Sequence, residues 1–225
     1  MNRAGLIFGT SNSFVAGWTE EELEAIYQQA YKPFVRALYA QPDVAATLHY
    51  SGTLLEWLRQ RHSEFIDVLS ELVSRRQVEL LGGGFHEPIL PLIPNQDRLG
   101  QIEMLTTYLR KEFGRRPRGA VITQHVWDQA LVTAFKNSGI EYLFLDDRVF
   151  AAAGLNGPQL CEPCLTEDQG KSVIVFPVRS QPLSDLLAQD PERVVADVVA
   201  EQEQSPFAVV SLLLEGSELG GSADT

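Results

Sequence analysis

The stretch Gly119-Ala120-Val121-Ile122-Thr123-Gln124-His125-Val126-Trp127-Asp128 decides the fold. Ala120 to Ile122 is an apolar run of the length expected for a buried strand. Thr123 to His125 breaks that run with polar side chains. Leu131, Ala134 and Phe135 then recur at helical spacing, and Gly139 closes the pattern. Strand, polar break and helix make one βα unit. In parallel α/β folds, side chains at such junctions converge above the carboxyl ends of the strands. Gln124 stands at that address.

The unit recurs along the chain. Apolar runs at 6–9, 44–49, 78–81, 120–122, 142–145, 173–177 and 208–214 read as strands, most of them separated by helical patterns. Thr19 and Glu22 have capping-box spacing ahead of Leu23, Ile26, Tyr27, Ala30 and Phe34, and Pro33 should kink or break that helix. Ser63 is the expected N-cap of a helix that buries Phe65, Ile66, Leu69, Leu72 and Val73. Asp97 to Phe113 reads as a helix with Leu99, Ile102, Leu105 and Leu109 inward, stopped by Gly114. Asp190-Pro191 is a helix start, with Val194, Val195, Val198 and Val199 on its apolar side. Residues 159–165 and 172–178 suit a hairpin around Asp168-Gln169-Gly170; otherwise 173–177 is the sixth strand of the series. Alternation of this kind argues an α/β fold with a parallel sheet.

At 225 residues the chain suits a single domain, 1–225. Its formal net charge of −12 disfavours nucleic acid and anionic membrane surfaces as partners and fits a neutral sugar, although an acidic soluble surface explains it as well. No run of about 18 apolar residues is present, so no membrane span is expected. The apolar part of residues 1–9 is too short for a secretory leader, which points to the cytoplasm. No cofactor or metal is expected. Cys161-Glu162-Pro163-Cys164 is at most half a zinc site, and His49, His62, His86 and His125 show no His-x-x-x-His spacing.

Several ordered motifs resemble glycoside hydrolase family 57, the α-glucan hydrolases and 4-α-glucanotransferases. They are His49-Tyr50-Ser51-Gly52 running to Leu54-Leu55-Glu56-Trp57, Gly84-Phe85-His86-Glu87-Pro88, Gln101-Ile102-Glu103-Met104-Leu105, Thr123-Gln124-His125-Val126-Trp127 and Thr166-Glu167-Asp168-Gln169-Gly170-Lys171. The resemblance runs from about Leu6 to Gly220. It implies an incomplete (β/α)7 barrel with parallel strands; an open doubly wound sheet is the structural alternative. It also implies an α-glucan or oligosaccharide as the bound partner.

The departures from the family pattern fall on chemistry. The resemblance places the nucleophilic Glu of Thr-Glu-Arg-Val-Trp where this chain has Gln124. An amide is a poor nucleophile, so the implied double displacement should be lost or severely weakened. Glu215 falls at the acid position of Asp-x-Glu-x-Phe-Gly, one methylene longer than the family's Asp. Ser11 and Ser13 replace the two histidines of His-Asn-His-Gln-Pro and retain hydroxyls that hydrogen-bond a sugar. Glu87 keeps the family carboxylate, His86 replaces a Tyr, and Trp127 is either core or cleft wall. Asp146 and Asp147 end the strand at 142–145 and either bind sugar hydroxyls or cap the next turn; Asp147 is the candidate for sugar binding. Glu87, Glu215 or Asp128 would be the carboxylates of an alternative inverting or substrate-assisted glycosidase. After 208–214 no helix follows, so the expectation is either a truncated reading frame or an exposed apolar edge covered by a second copy or partner chain.

Overall fold

The computed structural model describes residues 5–179, 192–193, 195–196, 199–200, 205 and 207–220. Eight strands form one sheet: β1 (Gly5–Asn12), β2 (Ala46–Tyr50), β3 (Val78–Leu81), β4 (Gly119–Val121), β5 (Tyr142–Asp146), β6 (Cys164–Asp168), β7 (Lys171–Val178) and β8 (Val209–Glu215). Their order is β3-β2-β1-β8-β7-β5-β4, with every neighbouring pair in that series that forms a ladder running parallel. β6 pairs antiparallel with β7 alone. The two ends of the series meet. Gly82 donates its N–H to the Gly119 carbonyl at 2.8 Å, and Val121 donates to the Gly82 carbonyl at 3.1 Å. A parallel α/β sheet thus curls into a nearly closed barrel, as the resemblance implied.

Side-chain alternation explains the layering. Ile7, Leu81, Val121, Phe144, Phe176, Val178 and Leu213 point inward and form one cluster inside the barrel. Their neighbours in sequence point outward. Leu48 and Tyr50 pack under helices α1 (Glu20–Ile26), α2 (Lys32–Ala40), α3 (Gly52–Arg61) and α4 (Ser63–Ser74). Ala120, Leu143, Leu145, Val173 and Val175 meet Leu131 and Phe135 of α6 (Leu131–Asn137), while Ile102 joins them from α5 (Asn95–Phe113). A one-residue register slip would exchange these faces, so burial on both sides fixes the register.

Local signals hold at several points. Thr19 Oγ1 accepts the Glu22 N–H at 3.2 Å and Glu22 Oε2 accepts the Thr19 N–H at 2.7 Å, which completes the capping box. α5 ends at Gly114 with φ of 71°. Gln169 and Gly170 have φ of 51° and 78°, the requirement of a tight hairpin turn. The two readings of 159–178 are therefore both present. β7 closes a hairpin with β6 on one side and joins β5 in parallel on the other.

Three expectations are corrected. Pro33 does not break its helix: the chain passes through a π-helical turn, Tyr27–Tyr31, in which Lys32 donates to the Tyr27 carbonyl. The wider turn accommodates a residue without an N–H. Ser63 is the first residue of α4 rather than its cap; His62 occupies the cap position because α3 ends only one residue earlier. A short helix, α7 (Asp147–Ala152), follows β5 directly. β8 is not an edge strand either. It lies between β1 and β7, and Val210, Leu212 and Leu214 are buried. Asp190, Pro191, Val194 and Val198 lie outside the described residues; Val195 and Val199 are helical and exposed.

Candidate active site

Inward-facing residues at the carboxyl ends of the strands line one polar concavity. Ser11 is the last residue but one of β1, Thr123 and His125 follow β4, Asp146 ends β5 and Glu215 ends β8; together with apolar Phe144 and Leu213 they bound a cavity of about 110 Å³. A roomier cavity of about 340 Å³ lies against Val78 and Arg118, by the amino ends of β3 and β4. It is ringed by Arg76, Arg115, Arg116 and Arg118, with Glu79 rather than a pair of carboxylates among them.

Glu215, at the end of β8, is the carboxyl of this lining whose titration is shifted upward. Its carboxyl is raised from the ordinary range to about 7. Crowding by surrounding protein is the main cause, followed by the charges of Glu87 and Glu218; a Ser217 hydrogen bond and His49 oppose the shift. The residue is nonetheless exposed to solvent, which moderates the effect. A carboxyl that holds its proton near neutral pH suits a proton donor.

Glu87, in the loop after β3, is held by an unusual backbone. Its φ is 50°, and its carboxylate is turned inward with 5% side-chain exposure. Glu87 Oε1 accepts from the Ser13 hydroxyl at 2.9 Å and lies 3.0 Å from His49 Nε2. His49 is fully buried, and its Nδ1 lies 3.3 Å from the Leu81 carbonyl. A carbonyl can only accept, so Nδ1 donates there, and the contact between Nε2 and Oε1 must contain a further proton. Gly83 makes room for this ring: a Cβ there would come within 3.0 Å of His49 Cε1. Removing one partner of such a buried pair typically costs about 3–5 kcal/mol.

The other sequence candidates scatter. Gln124 is exposed in the turn after β4, where His125 donates its N–H to the Ile122 carbonyl at 3.1 Å with φ of 53°. His125, not Gln124, lines the cavity, with Nδ1 3.7 Å from Asp146 Oδ2. Ser11 lines the cavity and its hydroxyl has no partner within the described protein. His86 is exposed, 3.0 Å from the Thr53 hydroxyl and edge-on to Phe85. Trp127 packs on the outer cluster of α6 and walls a separate apolar cavity of about 210 Å³ with Phe150 and Leu165. Asp128 accepts the Ala130 N–H at 2.8 Å and stays exposed. Asp147 opens α7 outside the cavity lining, whereas Asp146 is in it. Cys161 and Cys164 carry reduced thiols, both raised by burial above the ordinary thiol range.

Sequence reasoning passed over two of these groups. His49 was visible only as a motif residue, although the alternation of β2 around Leu48 and Tyr50 places its side chain inward. Asp146 was weighed with Asp147, and strand parity separates them, since Phe144 and Asp146 share the inner face.

This arrangement matches a known family. The description "Glycosyl hydrolase family 57" covers residues 9–221 of the chain. The chain belongs to glycosyl hydrolase family 57. An α-amylase of Pyrococcus horikoshii is 40% identical over 178 residues, 79% of this chain and 28% of that protein. Alpha-amylase 1 of Dictyoglomus thermophilum is 34% identical over 219 residues, 96% of this chain and 32% of that protein. The crystal structure of the 4-alpha-glucanotransferase of Thermococcus litoralis superposes with a TM-score of 0.88 at 35% identity, covering 97% of this chain and 34% of that one. The family 57 chain described here thus spans about a third or less of these relatives. Among its described residues no helix is long and apolar enough to cross a membrane.

Proposed function

We propose that this family 57 barrel binds α-glucan over the carboxyl ends of its strands and has lost, or retains only weakly, the family's double displacement. The carrying observation is Gln124 at the position of the nucleophilic Glu. Its amide cannot form the glycosyl–carboxylate ester on which retention depends. Glu215 is the proton donor of this reading, supported by its raised carboxyl and its place in the cavity. Glu87, Ser13 and Ser11 supply hydrogen bonds for sugar hydroxyls, with the neutral charge of the ligand matching an acidic protein.

The reading is tested with maltoheptaose and two proteins, wild type and Gln124→Glu. Wild type should bind the oligosaccharide and turn it over on the order of 10⁴-fold more slowly than an intact family member, if at all. Gln124→Glu should restore measurable hydrolysis or transfer. Full activity of the wild type, abolished by Glu215→Gln but unchanged by Gln124→Ala, would show that other carboxylates do the work. Inversion at the anomeric carbon would then be the sign of a two-carboxylate mechanism without a covalent step.

A further inference from the structure

The roomier cavity, by the amino ends of β3 and β4, has no role in the reading above. It encloses about 340 Å³, the scale of a small-ligand pocket. Two turns build it: Arg76 follows α4, and Arg115, Arg116 and Arg118 follow α5. These turns are neighbours because β3 and β4 close the barrel, with the Gly82 N–H donating to the Gly119 carbonyl at 2.8 Å. Arg76 stands at φ 62°, a left-handed position that favours glycine, and its side chain lines the cavity. Arg118 is held by Glu141, whose Oε2 accepts from Nε at 3.1 Å and from a second guanidinium nitrogen at 2.6 Å. Arg76, Arg115 and Arg116 make no ion pair or side-chain hydrogen bond among the described residues. Complementing the helix ends does not account for them. α5 already carries Arg110 and Lys111 in its last turn, and Arg75 pairs with Glu71 at the end of α4. In a protein with a net charge of −12, three unpaired guanidinia around one concavity reverse the field locally.

We propose that this cavity binds a small organic phosphate, the phosphate ester of a ring-shaped body such as a sugar or a nucleoside, at a site separate from the cavity lined by Glu215. A guanidinium fork matches phosphate oxygens two at a time, and Arg76, Arg115 and Arg116 are the forks left open. Glu79 is the single carboxylate set against the four guanidinia of the lining, so an anion is favoured there. The rest of the lining is apolar: Val73, Val78, Leu80, Phe113 and Pro117. A ring face loses water against these side chains while its phosphate reaches the guanidinia. Inorganic phosphate fills only part of such a volume and leaves the apolar side unused, which is why the ligand is an ester.

The test is calorimetric titration of the full chain at low salt with inorganic phosphate, glucose 6-phosphate and adenosine 5′-monophosphate. One of the two esters should bind at least about tenfold more tightly than inorganic phosphate, because burial of its ring adds to the phosphate contacts. The tighter ester identifies the body the site prefers. Its affinity should fall about tenfold or more in the double variant Arg115→Gln/Arg116→Gln, the loss expected when charge-assisted hydrogen bonds are removed. A second double variant, Arg59→Gln/Arg61→Gln, changes the net charge equally on α3, away from the cavity, and should leave the affinity within about twofold. All four arginines are exposed, so both variants should fold as the wild type does. Esters that bind no better than inorganic phosphate overturn the proposal. An ester whose affinity survives Arg115→Gln/Arg116→Gln overturns it too, since capture then occurs elsewhere, for example through the sugar at the other end of the barrel. Equal losses in the two double variants also overturn it, because they would show attraction by overall charge rather than by a site.

Discussion

Asp146 holds Arg148 by both ends of its carboxylate. Oδ1 accepts Arg148 Nε at 2.8 Å and the Arg148 backbone N–H at 2.9 Å, and Oδ2 accepts a second guanidinium nitrogen at 2.6 Å. The pairing spans two residues and caps the first turn of α7. It ties the floor of the cavity to the helix that leaves it. Asp146→Ala removes the cap and the ion pair together, which should cost about 1–2 kcal/mol of stability. Arg148→Ala should cost less, under about 1 kcal/mol, because the guanidinium is largely exposed. Urea unfolding of the two variants checks the order; equal losses would mean that the side-chain pair, not the cap, carries the effect.

Trp127 belongs to the outer core. Half-buried against the cluster of Leu131 and Phe135, it faces the cavity formed with Phe150 and Leu165 rather than the one holding Glu215. Trp127→Ala should therefore cost about 2–4 kcal/mol of stability. Oligosaccharide affinity at temperatures below unfolding should change less than twofold. A tenfold loss of affinity with unchanged stability would move Trp127 into the sugar site.

The contrast between Trp127 and His49 shows what the sequence carried and where it stopped. The strand and helix order was legible because burial on both faces of a parallel sheet leaves continuous apolar runs such as Ala120–Ile122 and Leu143–Leu145. The capping box at Thr19 and the turn at Gln169-Gly170 were legible because they are local. Pro33 misled because one residue's missing N–H was weighed without the π turn that tertiary packing of Tyr27 and Tyr31 makes affordable. The position of β8 was hidden for a different reason: strand order depends on contacts between residues some 200 apart, such as Ser11 with Glu215. Strand parity places the motif residues Glu215 and Ser11 in the cavity lining. Gln124 and Trp127 stand outside that lining, where loop side chains have no parity to read.

Glu215 supplies a pH dependence whose sign is opposite to that of most paired carboxylates. Its folded-state carboxyl is raised to about 7, above the ordinary value of 4.5. Between those two values the native state holds a proton that the unfolded chain has released. Stability from this group is then fully present below about pH 4.5 and is lost as pH rises toward 7. Above that it stays at its lower level. Glu215→Gln cannot ionise, so it should match the wild type at pH 4 and be the more stable protein at pH 8, with the gain moderated by the water that reaches the carboxyl. Melting temperatures of both proteins across pH 4 to 8 decide the matter. Parallel curves would mean that Glu215 titrates like an ordinary surface carboxylate, and the case for it as a proton donor near neutral pH would fall with them.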